Sequence, residues 1–465
     1  MHELTASEIL NKFEKRSLTS ETLLRNLRER IRMLEPDLNA LADFNHQAIN
    51  EARACDLART NGTVKGPLHG IPVLIKDNVF TNDAMRTTAN SYAFQDFFAP
   101  YDATIVEKLR AAGAIILSKA NCSEFAYFMS MGTMPSGYGS MHGQVVHPYD
   151  KTMDPLGSST GSAVGVAAGY APLAIGTETF GSLISPAKAN SIVTIKPTLG
   201  LVSRHGIIPI STLQDTAGPM ARTVKDAAIL LDVIKGKDSH DRFTDMIPDS
   251  LESFSEACER PIKDRRIGVL RFKDFTLSDE EKELIQEAKR LFTEANVEVI
   301  DIEQPYELDN SLLPLIYEFK RDLNHFLSQL RGLLPVDSLA GLIKFNQANE
   351  SRTLKYGQTH FYQSNSIDQR LTAPDYLKTR EKLTTATEKF AALFRKHNID
   401  ALITTQVNGY PPVGGLPAVA VPAKALRDKQ PQTMLFIGEA FCESKILPFA
   451  NHYEQKTRKR IAPRL

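Results

Sequence analysis

The stretch Ile71-Pro-Val-Leu-Ile75, running into Lys76-Asp77-Asn78, and its companion Ala114-Ile-Ile-Leu117 decide the fold class. Each is a short, uninterrupted apolar run of the kind that forms a strand covered on both faces. The segment between them, Ala103 to Ala112, has helical periodicity. Strand, helix and strand in that order is βαβ-like alternation, the signature of an α/β protein.

Upstream, Thr5 and Glu8 have capping-box spacing, and Leu24, Leu27, Ile31 and Leu34 fall on one helical face, so residues 1–65 read as a helical lead-in. Downstream, 129–162 is rich in Gly, Ser, Pro and Met without a period and reads as a long irregular loop, a usual carrier of function. Gly161 to Tyr170 is small and apolar enough for a tightly packed helix. Leu173 to Ile175, Ile192 to Ile195 and Gly206 to Ile210 read as short strands. Residues 66–235 thus form a core, and the charge-dense 236–266 reads as a linker or surface loop. Strands resume at Ile267–Phe272 and Val297–Ile302, flanking a capped helix from Ser278 to Ala295. Helical patterns cover Asn310–Phe345 and Pro374–His397, and late strands are expected at Ala401–Thr405, Ala418–Val421 and Thr433–Ile437. Because strands lie on both sides of 236–266, the expected architecture is one domain over 1–465, a single large mixed β-sheet sandwiched between layers of α-helices.

Composition narrows the partners. The 465 residues carry 55 basic and 55 acidic side chains, so no net field draws the chain to nucleic acid or to an anionic membrane. The basic run Lys456–Arg460 reads as the solvated end of a C-terminal helix. Cys55, Cys122, Cys258 and Cys442 are scattered without metal-ligand spacing and read as reduced thiols. The longest apolar stretch, Ala163 to Ile175, is too short for a membrane span and contains Gly165, Gly169 and Pro172. With no signal-peptide profile at the N-terminus, a cytoplasmic protein is expected.

Three segments carry chemistry. Lys76 ends a buried strand; it can act as a base only if desolvation or neighbouring charge keeps its amine neutral near neutral pH. Gly157-Ser-Ser-Thr-Gly-Ser162 is dense in hydroxyls, with glycines that allow close approach. Gly176-Thr-Glu-Thr-Phe-Gly-Ser182 runs from a strand into a small-residue turn able to aim several N–H groups at one point, as an oxyanion hole needs. Each alone has an ordinary explanation: a solvated strand end, a helix cap, a plain turn.

Taken in order, these segments resemble the amidase signature family. The resemblance rests on Gly66-Pro-Leu-His-Gly-Ile-Pro-Val-Leu-Ile-Lys76-Asp-Asn78, Gly157–Ser162, Gly176–Ser182, Lys196-Pro-Thr-Leu-Gly-Leu-Val-Ser-Arg204 and Gly218-Pro-Met-Ala-Arg-Thr223. Within the family, Thr177–Ser182, Gln214-Asp-Thr-Ala-Gly-Pro-Met220, Phe345-Asn-Gln-Ala-Asn349 and Tyr356-Gly-Gln358 resemble the bacterial peptide amidase branch. Amidotransferase subunits of the A type usually show Gly-Gly-Ser-Ile-Arg where this chain has Phe180-Gly-Ser-Leu-Ile184.

The resemblance implies an amide hydrolase in which Ser182 is the nucleophile, Lys76 the ultimate base and Ser158 the proton bridge, its peptide bond to Gly157 being cis. It also implies that the amides of Thr179, Phe180, Gly181 and Ser182 hold the oxyanion, and that neither metal nor organic cofactor takes part. The substrate would be a small-molecule or peptide amide; oligomeric state is left open. Phe180, Thr160, Ile184 and Ser191 depart from the residues common at their positions, and the 405–417 segment looks shortened, which opens the question of substrate choice. Three other readings stand beside this one. Gly157-Ser-Ser159-Thr-Gly161 also fits G-x-S-x-G with Ser159 as an α/β-hydrolase nucleophile. The chain could instead serve as an amidotransferase subunit, or as a silent binding homologue with Phe180 filling the site.

Overall fold

A computed structural model describes every residue except 131, 133, 310, 311, 369, 427 and 428, and describes only the backbone at 425, 426 and 429. Among the described residues, its centre is an eleven-stranded sheet. In chain order the strands are β1 Leu41–Phe44, β2 Pro72–Lys76, β3 Ile115–Ala120, β4 Leu173–Glu178, β5 Val193–Lys196, β6 Thr216–Ala221, β7 Arg266–Phe272, β8 Glu298–Gln304, β9 Ala401–Thr404, β10 Ala418–Leu426 and β11 Lys429–Ile437. Across the sheet they run β1-β3-β2-β4-β6-β5-β10-β11-β9-β7-β8. The triplets β3-β2-β4 and β9-β7-β8 are parallel, and every pairing between them is antiparallel. The sheet is therefore mixed and continuous through strands from both sides of 236–266.

Side-chain alternation explains why helices cover both faces. Val73, Ile75, Val419 and Val421 point into one extensive core. Their neighbours Leu74, Ala418 and Ala420 point the other way, into two further cores under the N-terminal and C-terminal halves. β2 is buried at every position, so its apolar run is continuous rather than alternating.

Several local expectations hold. Thr5 and Glu8 form both halves of a capping box at the helix Ala6–Glu14, as do Ser278 and Glu281 at Asp279–Glu294. The helix Pro374–His397 has the expected bounds. Others need correction. Gly206–Ile210 is not a strand: Ile207 makes a lone bridge to Val79, with flanking bonds between Phe80 N and Gly206 O and between Ile208 N and Asn78 O. Ile210 N, the next donor facing that segment, goes instead to Asp215 Oδ2 at 2.8 Å, so the ladder does not extend. The lead-in contains β1, and the sequence hides β6 because Gly218 and Pro219 disguise a central strand. The Asn310–Phe345 pattern begins on two positions outside the described residues and divides into helices Leu313–Gln329 and Leu339–Ala348, separated where Gly332 takes a φ of +87° and Pro335 follows.

Within 236–266, the short helix Phe254–Ala257 buries Phe254 and Ala257, and the Asp232 carboxylate accepts from Phe254 N and Ser255 N. The four cysteines are free thiols. Among the described residues, no helix is long and apolar enough to cross a membrane.

Candidate active site

β2 and β4 lie side by side in parallel and end at the same edge, which brings Lys76 beside Thr177. The 129–162 segment, with 131 and 133 outside the described residues, is irregular apart from the short pairing of Tyr138–Gly139 with Gly143–Gln144. It delivers Gly157 and Ser158 to this edge, where their peptide bond is cis, and then enters the helix Thr160–Ala167. Ser123 N holds the Ser158 carbonyl at 3.2 Å, and Thr160 Oγ1 donates to Leu156 O at 2.8 Å. Thr160 thus fixes the turn from inside and does not reach the cavity.

Lys76 has no solvent exposure. Its Nζ lies 2.8 Å from Ser158 Oγ, 2.8 Å from Thr177 Oγ1 and 3.3 Å from the Thr177 carbonyl oxygen. Desolvation pushes its pKa down to about 8, against the opposing pull of Cys122, Asp215 and Glu178. The partners matter as much as the shift. A neutral amine has a lone pair that needs a donor, and both hydroxyls have a proton to offer. Thr177 Oγ1 already accepts from Asn78 Nδ2 at 3.1 Å, leaving its own proton free to point at Lys76.

Ser182 opens onto a cavity of about 440 Å³ that also exposes Gly157, Thr179, Phe180, Ser185 and Gln214. Ser159 N donates to Ser182 O at 3.3 Å, so the two serine-bearing segments are in contact. Gly181 takes a φ of +83°, turning the chain sharply just before Ser182. Among the described residues, no hydrogen bond engages the N–H groups of Thr179, Phe180, Gly181 or Ser182. The turn is braced from behind: Glu178 Oε2 accepts from Leu183 N at 2.7 Å and Ile184 N at 3.2 Å. Asp215 takes the Thr179 hydroxyl on one oxygen and Ile210 N and Ser211 N on the other. Burial pushes the Asp215 pKa up to about 7.

Thr177, Asn78, Glu178 and Asp215 lie inside the motifs quoted above, yet sequence alone assigns them no role. Thr177 meets Lys76 and Asn78, and Asp215 meets Thr179, across long stretches of chain, so spacing carries no signal for them; Glu178 reaches only to Leu183 N and Ile184 N, backbone groups that no residue pattern marks. Ser159 is fully buried, donates to Thr177 O at 2.9 Å and accepts from Thr177 N at 3.0 Å. Those bonds lock the helix start to β4 and leave it no access to the cavity. Ile184 packs into the C-terminal-half core with Leu383, Phe390 and Tyr410. Ser191 has a φ of +50°, the conformation glycine would take more easily. The 405–417 segment still reaches the cavity through Val413. Among the described residues, no group of three or more His, Cys, Asp or Glu side chains is placed to hold a metal ion.

Residues 22–418 match the family model described as Amidase. The chain belongs to the amidase family. Members of this family that it resembles over nearly its whole length include a probable amidase of Arabidopsis thaliana, 35% identical over 483 residues that cover 100% of this chain and 92% of the relative. The native peptide amidase of Stenotrophomonas maltophilia superposes with a TM-score of 0.92 at 36% identity, over 99% of this chain and 98% of its own. The A-type subunit of a glutamyl-tRNA(Gln) amidotransferase of Synechococcus sp. is 33% identical over 469 residues, 94% of this chain and 89% of that one. The amidase is an amide hydrolase with the mixed-sheet fold of the peptide amidase structures.

Proposed function

We propose that this amidase cleaves a carboxamide through an acyl-enzyme on Ser182, with Lys76 as the ultimate base and Ser158 passing the proton between them. The observation that carries the reading is the wholly desolvated Lys76 amine 2.8 Å from Ser158 Oγ, next in the chain to Gly157, which lines the cavity together with Ser182. Ser182 Oγ gives its proton to Ser158, whose own proton passes to Lys76 Nζ, and the freed oxygen attacks the carbonyl. The unengaged N–H groups of 179–182 hold the tetrahedral oxyanion; losing one such donor typically costs about 10²–10³ in rate. Lys76 then returns the proton through Ser158 to the departing ammonia or amine. Water completes hydrolysis over the same path in reverse. The likeness to a peptide amidase favours C-terminal amides of peptides among the substrates.

A fluorophosphonate probe should label Ser182, and Ser182→Ala should remove both the label and the turnover of primary carboxamides. Labelling that survives Ser182→Ala would place the nucleophile elsewhere. The identity to an amidotransferase component supports a second reading, ammonia delivery to a partner enzyme. Turnover by the purified chain alone distinguishes the two, and Phe180-Gly-Ser-Leu-Ile184 favours the free-standing amidase.

A further inference from the structure

We propose that the Phe180 ring selects the acyl group, restricting the enzyme to amides whose acyl side chain is bulky, apolar and not anionic. This rests on the reading of Ser182 as the nucleophile. Phe180 is 45% exposed, although its ring lies two residues from Ser182 and lines the same cavity. A half-exposed aromatic ring beside a reactive serine is apolar surface waiting for cover. The rest of the wall matches it: Ile210, Leu312, Leu315, Leu383 and Val413 face the same space. Among the described residues, that lining holds no Lys, Arg or His, so an anionic acyl group would lose its water there with no cation to pair it.

The ring's position depends on a glycine more than two hundred positions away in the chain. A Cβ added at Gly409 would lie 3.1 Å from Phe180 Cζ, 3.0 Å from Tyr306 Oη and 3.2 Å from Leu308 Cδ1. Gly409 has a φ of −81°, so its backbone accepts alanine without strain, and the constraint is the space taken by the Phe180 ring together with Tyr306 and Leu308. Phe180 and Gly409 thus form a pair in which the missing side chain on one makes room for the large one on the other. Gly409→Ala crowds the ring while leaving Lys76, Ser158 and Ser182 untouched.

The test uses kcat/KM for N-acetyl-leucinamide, N-acetyl-asparaginamide and the α-amide of N-acetyl-aspartate, measured on the full chain. The leucine amide should exceed the similarly shaped asparagine amide by at least about tenfold, with the aspartate amide slowest. Phe180→Ala should bring that ratio near one, whereas Phe180→Leu should retain most of it. Gly409→Ala should lower the ratio in the wild-type background and change nothing further in Phe180→Ala. Equal turnover of the three amides, or a ratio unmoved by Phe180→Ala, overturns the selection while leaving the nucleophile in place. An additive Gly409→Ala effect overturns the pairing. Turnover of none of the three by enzyme that still labels at Ser182 also overturns the acyl assignment, whereas loss of labelling would remove the Ser182 reading itself.

Discussion

Lys76 and Lys196 stand at the ends of two strands in the same sheet, both fully buried, and burial pushes both pKa values down to about 8. Their surroundings differ in kind. Lys196 Nζ donates to the carbonyls of Pro197 at 2.7 Å and Leu416 at 2.9 Å, tying the end of β5 to the chain entering β10. Lys119, with its pKa likewise pushed down to about 8, gives its protons to the Val79 carbonyl and, at 2.8 Å, to Thr87 Oγ1. Carbonyls only accept, so they favour the ammonium and give a neutral amine nothing. Lys76 has two hydroxyls that can donate to it as well as accept. A depressed pKa therefore marks burial in all three; partners that only accept set Lys196 apart, and Lys119, which also meets a hydroxyl, differs from Lys76 in that the hydroxyl beside Lys76 belongs to Ser158, next in the chain to the cavity-lining Gly157.

The largest expected effect separates the two lysines outright. Lys76→Ala should lower kcat/KM by at least about 10³-fold without loss of fold, checked by steady-state kinetics beside a thermal melt. Lys196→Met should stay within a few-fold of wild type per folded molecule. Equal losses in both would dissolve the distinction. A smaller effect probes the second hydroxyl: Thr177→Val keeps the shape but removes a donor to Lys76, and a drop of about 10–100-fold in kcat/KM is expected. Ser159→Ala should act mainly on stability, about 1–3 kcal/mol by denaturant melt, because it strands the buried Thr177 N–H while appreciable turnover remains.

Lys196 should leave its trace in the pH dependence of stability. Its folded pKa lies below its unfolded value of 10.5, so between pH 8 and 10.5 the unfolded chain binds more protons and the folded state gains stability as pH rises. Wild-type stability measured against Lys196→Met should therefore climb through that window, with a limiting slope of about 1.4 kcal/mol per pH unit. A constant difference across that window would mean that burial does not lower the Lys196 pKa below its unfolded value.

Much of this is legible in the sequence, unevenly. β2 and β3 stand out because buried parallel strands read as unbroken apolar runs. β6 does not, since Pro219 and Gly218 are residues that normally argue against a central strand. Lys76, Ser158 and Ser182 are picked out by ordered motifs. Thr177 as a partner of Lys76, and Asp215 as a brace for Thr179, emerge only when β4 is laid beside β2 and β6. The Phe180–Gly409 contact lies beyond reach for the same reason: nothing local at either position announces the other.

The claim that Lys76 works as a neutral base is tested most directly by kcat/KM for a simple primary amide, measured from pH 5 to 9.5. At pH 7 a group with a pKa of about 8 is roughly one-tenth neutral, so the rate should fall about tenfold per unit below pH 8 and level off above it. A profile flat down to pH 5 would contradict the account.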